Sequence, residues 1–382
     1  MVEIGEYMRK IKSIKLKEPY QLPVKIIGSI LCILIGLLIF YNVQINSLTK
    51  YGYSRKASHN ILFTWHKEDV LKKGENKTLN AAFESIHYND KNFDNYSKIE
   101  YVKQKHLIEN INKLLKKGYS NTDINMILSH GTERTVTEFI KRDKVRYLEE
   151  YYTIDYAKIE NYDRYVKYSD ETGEEEEDVV ISVNLDLDKE EYKDSTLVDK
   201  FSIDMLVNKR RHLDKKFVPK DLVKIDTKYA SEKGMKSAKV ALDAYIEMQK
   251  EAEKEGYDIV INSAYRSYQD QLDLEELYLK AYGQSYVDKF VAKPGYSEHQ
   301  TGLSYDIGSK SINVFANSKE YKWMLDNAHK YGFILRFPKK YENITGFRSE
   351  PWHYRYVGKK IAKIIHDEDI TLEEYYVKYL DK

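Results

Sequence analysis

From residue 26 to residue 48 the chain carries no charged side chain, and the core Ile26-Ile27-Gly28-Ser29-Ile30-Leu31-Cys32-Ile33-Leu34-Ile35-Gly36-Leu37-Leu38-Ile39-Phe40 is almost wholly apolar. About 20 such residues cross a bilayer as a helix. A buried core helix is rarely apolar on every face over this length. A cleaved signal peptide has a shorter apolar region, about 7 to 15 residues, closed by a small-residue cleavage site. No such site stands out at Tyr41-Asn42-Val43-Gln44-Ile45-Asn46, so the span reads as an uncleaved membrane anchor. Arg9, Lys10, Lys12, Lys15, Lys17 and Lys25 precede it, and only Lys50, Arg55 and Lys56 follow closely. The positive-inside rule then puts the N-terminus in the cytoplasm and everything after the span outside.

The expected organisation is a cytoplasmic tail at 1–25, an anchor at 26–48, a helical juxtamembrane module or spacer at 49–178 and a compact domain at 179–382. A chain of 382 residues has room for this. The net charge of +1 gives no reason to expect a nucleic-acid partner. The single cysteine, Cys32, lies inside the span, so no intramolecular disulfide is possible. The 35 tyrosines read first as compositional bias.

After the span, Leu107, Ile108, Ile111, Leu114 and Leu115 recur at helical spacing, with Gly118 as a stop. Ser120 with Asp123 marks a second helix start, ending at Gly131. The acidic run Ser169-Asp170-Glu171-Thr172-Gly173-Glu174-Glu175-Glu176-Glu177-Asp178 reads as a solvated linker. Beyond it Val179, Ile181, Val183, Leu185 and Leu187 alternate with Val180, Ser182, Asn184 and Asp186, the pattern of a half-buried strand. Further on, Met235, Ala238, Leu242, Tyr245 and Met248 form an apolar stripe ended by Gly256. Helices are expected at 272–282 and 318–331, and strands at 258–263 and 333–337. Helices and strands mix without regular alternation, which predicts an α+β domain with an antiparallel sheet.

Two short segments carry chemistry. The first is Ser297-Glu298-His299-Gln300-Thr301-Gly302-Leu303-Ser304-Tyr305-Asp306-Ile307, and the second is Glu350-Pro351-Trp352-His353. They supply two imidazoles and a carboxylate, with a further carboxylate beside the last imidazole. A catalytic zinc needs that inventory: three protein ligands, an open position for water and a base outside the first shell. His299 and Asp306 are seven residues apart, so one straight strand would point them to opposite faces. Gly302 offers a bend between them. Trp352, Tyr354 and Tyr356 alternate with His353, Arg355 and Val357, which reads as a strand. The remaining histidines, His59, His66, His87, His106, His130, His212, His329 and His366, lack such a context and read as structural or surface residues.

These segments, with Met205-Leu206-Val207-Asn208-Lys209, Phe217-Val218-Pro219-Lys220-Asp221-Leu222 and Ser263-Ala264-Tyr265-Arg266-Ser267 plus Gln271, resemble the zinc D-alanyl-D-alanine carboxypeptidases of the VanY type. That peptidase family also holds other L,D- and D,D-peptidases of bacterial cell walls. The resemblance covers roughly the last half of the chain. One departure is Ser304, where the family more often has Ala. The resemblance implies a small antiparallel sheet with flanking helices, Hedgehog/D,D-peptidase-like, carrying one zinc ion. It implies that His299, Asp306 and His353 bind the zinc, that Glu350 is the general base and that Arg266 holds the scissile carbonyl oxygen. Ser297 and Gln271 would contact substrate. The implied activity is removal of a terminal D-Ala from peptidoglycan stem peptides or their precursors by an enzyme anchored in the cell membrane, with its catalytic domain outside. An L,D-carboxypeptidase or a wall endopeptidase is the alternative within the enzyme class. A wall-binding or scaffold protein with an idle peptidase domain is the alternative outside it, and the intact ligand set counts against it.

Overall fold

The uncharged span folds as one long helix, α1 (Glu18–Thr49), of which Lys25–Thr49 is long and apolar enough to cross a membrane. At about 1.5 Å per residue these 25 residues extend further than the ~30 Å hydrocarbon core of a bilayer. Ile27, Leu31, Leu34 and Leu38 are exposed along it. The structure is a computed structural model and describes residues 18–145, 148–310 and 314–381. The basic cluster from Arg9 to Lys17 lies outside them. Contacts divide the chain into two compact units, Met1–Glu149 and Glu150–Lys382. The second unit therefore starts earlier than residue 179, where the sequence placed the beginning of the compact domain.

The first unit continues with α2 (Arg55–Phe63), α3 (Lys67–Lys73), α4 (Lys77–Glu84), α5 (Phe93–Tyr96), α6 (Leu107–Lys116), α7 (Asn121–His130) and α8 (Glu133–Lys141). Ser120 and Asp123 close a reciprocal capping box at the start of α7, as their spacing predicts. Helix α9 (Leu148–Tyr152) runs across the division at residue 149, and the second unit continues with α10 (Tyr162–Thr172) and α11 (Glu176–Asn184).

Helix α11 occupies the run expected to be a strand. Val179, Val180, Ile181, Ser182 and Val183 are all buried in succession, which a half-buried strand cannot arrange. Periodicity alone does not separate a short buried helix from a buried strand. The acidic run is likewise structured rather than a linker. Its first part ends α10, where Gly173 takes a left-handed φ of 68°, and Glu176, Glu177 and Asp178 form the first turn of α11. There their charge complements the helix dipole.

An internal duplication, which the sequence reading did not detect, organises all these helices. The series from α2 to α6 recurs as α7 to α11. Gly52-Tyr53-Ser54 recurs as Gly118-Tyr119-Ser120, each glycine at φ +86° and each serine capping the following helix. Two short 3-10 turns, Asp90–Asn92 and Ile159–Asn161, precede the paired residues Tyr96 and Tyr165. In the first copy the Tyr96 hydroxyl accepts from the Asn89 N–H (3.2 Å) and donates to Asn112 Oδ1 (2.5 Å). In the second, Tyr165 accepts from the Lys158 N–H (2.9 Å) and donates to Asn184 Oδ1 (2.7 Å). Asn92 and Asn161 donate to the same Oδ1 atoms, at 2.8 and 2.9 Å. Asn112 and Asn184 each return a bond to a backbone carbonyl, of His87 and Tyr156. Each knot satisfies the polar atoms of a buried tyrosine, which would otherwise be costly to bury.

The remaining elements are β1 (Thr196–Leu197), β2 (Arg211–His212), β3 (Leu222–Lys224), β4 (Lys236–Ala238), α12 (Lys239–Lys254), β5 (Ile259–Ser263), α13 (Tyr268–Tyr282), α14 (Gln284–Phe290), β6 (Ser304–Ser309), α15 (Lys319–Asn327), β7 (Phe333–Leu335), α16 (Glu342–Thr345), β8 (His353–Tyr356), α17 (Lys359–Asp367) and α18 (Leu372–Tyr375). Strands β5 to β8 form an antiparallel sheet in the order β5-β6-β8-β7. The expected α+β class with a small antiparallel sheet is what the second unit shows. Tyr305, Ile307, Phe333 and Tyr354 from this sheet meet Leu242, Tyr245 and Met248 of α12 in the main core. The apolar stripe is thus core, although the helix begins only at Lys239, because Lys236–Ala238 pair with β3.

Candidate metal centre

The strand register builds the centre of the site. In the β6–β8 ladder Asp306 is directly opposite His353, so a carboxylate and an imidazole emerge side by side. His299 arrives from a 3-10 turn, Glu298–Thr301, that ends at Gly302 with φ +69°. A Cβ at Gly302 would meet the Ala238 backbone nitrogen at 3.0 Å, so both the turn and its close packing need glycine. This is the bend that the seven-residue spacing required.

His299, Asp306 and His353 each offer a ligand atom, all within 4.8 Å of one another. His299 Nε2 is 3.4 Å from Asp306 Oδ1, and His353 Nδ1 is 3.2 Å from the same oxygen. Donors around a tetrahedral zinc with bonds of about 2.0–2.1 Å are about 3.3 Å apart. Two imidazoles and one carboxylate are also a donor set that suits zinc. The Oδ1 atom of Asp306 is buried without a hydrogen-bond partner among the described residues, an arrangement that a cation would satisfy. The residues present therefore fit the metal. His299 is already aimed, because its Nδ1 donates to the Ala264 carbonyl at 2.7 Å and leaves Nε2 facing Asp306.

Glu350 is held on a turn, where its N–H donates to Phe337 O and its carbonyl accepts from the His353 N–H. Its Oε2 lies 3.5 Å from His353 Nδ1, at the rim of the ligand set. Burial pushes the Glu350 carboxyl up to about 7, with Asp306 and Glu298 adding to the rise and His353 and Arg266 opposing it. Burial resists charge on Asp306, yet the His299 and His353 rings outweigh it and hold this carboxyl well below the usual range. Burial and the Arg266 guanidinium lower His299. Burial also disfavours a charged His353, but the facing Asp306 and Glu298 carboxylates push it up to about 9.

Arg266 follows β5, whose register shifts between Ile261 and Ser263. Such bulges redirect side chains beside functional sites. The Arg266 N–H donates to the His299 carbonyl at 3.2 Å, while its Nε is buried without a partner among the described residues. Ser297, Gln271, Arg266 and Glu350 line one cleft of about 430 Å³ with His299, Asp306 and His353. Gln271 Nε2 is committed to the Ala292 carbonyl at 2.7 Å, and its buried Oε1 is unpaired. All seven residues singled out in the sequence thus meet in one place. The sequence missed Tyr278, Tyr286, Tyr296 and Phe347, whose rings complete the walls. It also missed Glu298, which backs His353. No local pattern marks these five, because their roles come from the fold.

Residues 234–359 match the family model VanY, described as D-alanyl-D-alanine carboxypeptidase. The putative carboxypeptidase YodJ of Bacillus subtilis (strain 168) is 45% identical over 181 residues, covering 45% of this chain and 66% of that protein. A D-alanyl-D-alanine carboxypeptidase of Enterococcus faecium is 41% identical over 132 residues, covering 34% of this chain and 41% of the relative. The chain thus spans from two fifths to just under two thirds of the length of these relatives. Among solved structures, the LdcB LD-carboxypeptidase is 45% identical, with 45% of this chain and 85% of that chain covered and a TM-score of 0.43.

Proposed function

Through residues 234–359 the chain belongs to the VanY-type family of carboxypeptidases, and from that premise we propose that it is a zinc carboxypeptidase removing a terminal D-Ala from peptidoglycan stem peptides. The observation that carries the proposal is the meeting of His299, Asp306 and His353 within 4.8 Å, with the Glu350 carboxylate 3.5 Å from the last. His299 Nε2, Asp306 Oδ1 and His353 Nδ1 would hold one zinc ion. Zinc bound there supplies Lewis acidity, polarising a carbonyl and lowering the pKa of a coordinated water to about 7.

Glu350 takes the proton of the attacking water and returns it to the departing amine. A carboxyl raised towards neutrality by burial suits both directions of transfer. Arg266 faces the carbonyl oxygen as it gains charge, and its unpaired Nε gives it a donor to spare. Gln271 offers Oε1 to a substrate N–H, and Ser297 lines the same cleft. The domain arrangement that follows is a cytoplasmic tail, an anchor within α1, a duplicated helical spacer and an exported peptidase domain. Such an enzyme works on the wall side of the membrane that holds it.

The test is mass spectrometry of defined muropeptides incubated with the full-length, zinc-loaded protein. Loss of one D-Ala from pentapeptide stems is the expected result. Loss from tetrapeptide stems alone would replace the D,D assignment by an L,D one. A chain that cleaves neither, while binding zinc, would be a scaffold. Protease added to wall-stripped cells should digest everything beyond residue 48, and its survival there would overturn the outward topology.

A further inference from the structure

His353 has a second ring nitrogen that the metal reading leaves unused. Its Nε2 is buried without a hydrogen-bond partner among the described residues, and Glu298 Oε2 lies 3.7 Å away. That is too long for a hydrogen bond, but a small ring rotation would close it. Glu298 is only 3% exposed, and its two oxygens are used differently. Oε1 accepts from Arg336 Nε at 2.9 Å and from Arg355 Nη1 at 2.8 Å. Among the described residues Oε2 accepts only from the Ser304 hydroxyl, at 3.3 Å, and otherwise faces His353.

The two arginines are fixed in turn. Arg336 makes paired bonds to Glu373 of α18, at 2.8 and 2.6 Å, and Asn208 donates to that carboxylate at 3.1 Å. Arg355 donates to the carbonyls of Ile203 and Met205, at 3.2 and 2.8 Å. Two carboxylates and two guanidiniums, all buried, are a poor device for stability, since desolvation offsets most of their attraction. What a satisfied buried network does provide is a carboxylate oxygen at a fixed position.

We propose that Glu298 is a positioning residue whose Oε2 accepts the Nε2–H of His353, fixing the ring's tautomer so that Nδ1 is the ligand atom turned towards Asp306. The inference rests on the zinc reading above. Metal-binding histidines commonly donate their other N–H to a carboxylate or carbonyl, and removing that partner typically lowers metal affinity about 10–100-fold. Here the two imidazoles face different partners: His299 donates to the Ala264 carbonyl at 2.7 Å, and His353 Nε2 faces the Glu298 carboxylate at 3.7 Å. The chain of contacts also makes α18 a support of the site, because Glu373 steadies the arginine that steadies Glu298.

The test uses the full-length chain with ¹⁵N-labelled histidine, recorded before and after zinc addition, the His353 signals being assigned by their loss in His353→Ala. The expected result is a proton on Nε2 of His353 and a metal-induced shift at Nδ1. Zinc affinity, measured against a chelator, should fall about 10–100-fold in Glu298→Gln while circular dichroism stays unchanged. Metal on Nε2 and the proton on Nδ1 in the unmodified protein would overturn the proposal. So would a folded Glu298→Gln with unaltered affinity and unaltered His353 shifts. Should that variant fail to fold, the ring assignment in the unmodified protein decides alone. If no histidine responds to zinc, it is the metal reading that fails; a response at His299 with metal on Nε2 of His353 sinks only the role of Glu298.

Discussion

Glu350 shows how much one carboxyl depends on its surroundings. It touches the rim of the ligand set without belonging to it, so its removal should separate metal binding from turnover. Glu350→Ala is expected to retain zinc by elemental analysis and to lose about 10²–10⁴-fold in kcat. Loss of the metal instead would place Glu350 among the ligands. Arg266→Lys keeps the charge but not the planar fork, so kcat and kcat/KM should drop while zinc content holds. An effect confined to KM would reduce Arg266 to substrate binding. The place of both residues at the cleft was legible in the sequence because each lies inside a short motif, and the motifs come in a fixed order. Glu298 was not, although it adjoins His299. Its partners Arg336 and Arg355 are 38 and 57 positions away, and nothing local announces them.

At the level of elements, the sequence was most informative where a pattern and a stop signal coincided. α6, α7, β5 and β7 were all foreseen from apolar spacing closed by glycine or flanked by turns. α11 was read wrongly because valines in alternation suit a strand, while the acidic turn before them and the packing of Ile181 and Leu185 against α17 and α18 decide for a helix. The 3-10 turn at Glu298–Thr301 depends on Gly302. Gly302→Ala should lower stability by more than about 1 kcal/mol, since φ +69° and the contact with Ala238 both oppose a side chain. Thermal unfolding measures it, and an unchanged midpoint would show that the turn tolerates a Cβ. The duplicated knots give a matched pair. Tyr96→Phe and Tyr165→Phe each leave a half-buried asparagine and a backbone N–H one partner short, at a cost of about 0.5–1.5 kcal/mol apiece. If only one of them destabilises, the two copies are not equivalent.

For the molecule as a whole, acid should act on folding through the buried charge network. Burial alone would raise Glu298, but Arg336 and Arg355 outweigh it and hold its pKa below the ordinary carboxylate range. A carboxyl depressed in the folded state and normal in the unfolded one adds stability that is complete above the unfolded value, about 4.3. That stability is lost progressively as pH falls below it. The midpoint of thermal unfolding should therefore drop as pH falls from about 4.3 to 3, and a flat profile there would show that the network carries no such linkage. The long apolar helix and the α+β domain could be read from the chain because each rests on patterns spanning a few tens of residues. The duplication could not be read so easily, since its two copies share a scaffold of bonds but few letters. That likeness has a consequence for how the chain reaches its native state. Tyr96 and Tyr165 are near-interchangeable keys, and Asn112 and Asn184 near-interchangeable locks, so a denatured chain can mispair them. If the chain reaches its folding compartment from the N-terminus onward, the first lock and key arrive before the second pair and can close without competition. Such vectorial arrival would spare the chain a mispairing that refolding from denaturant leaves open.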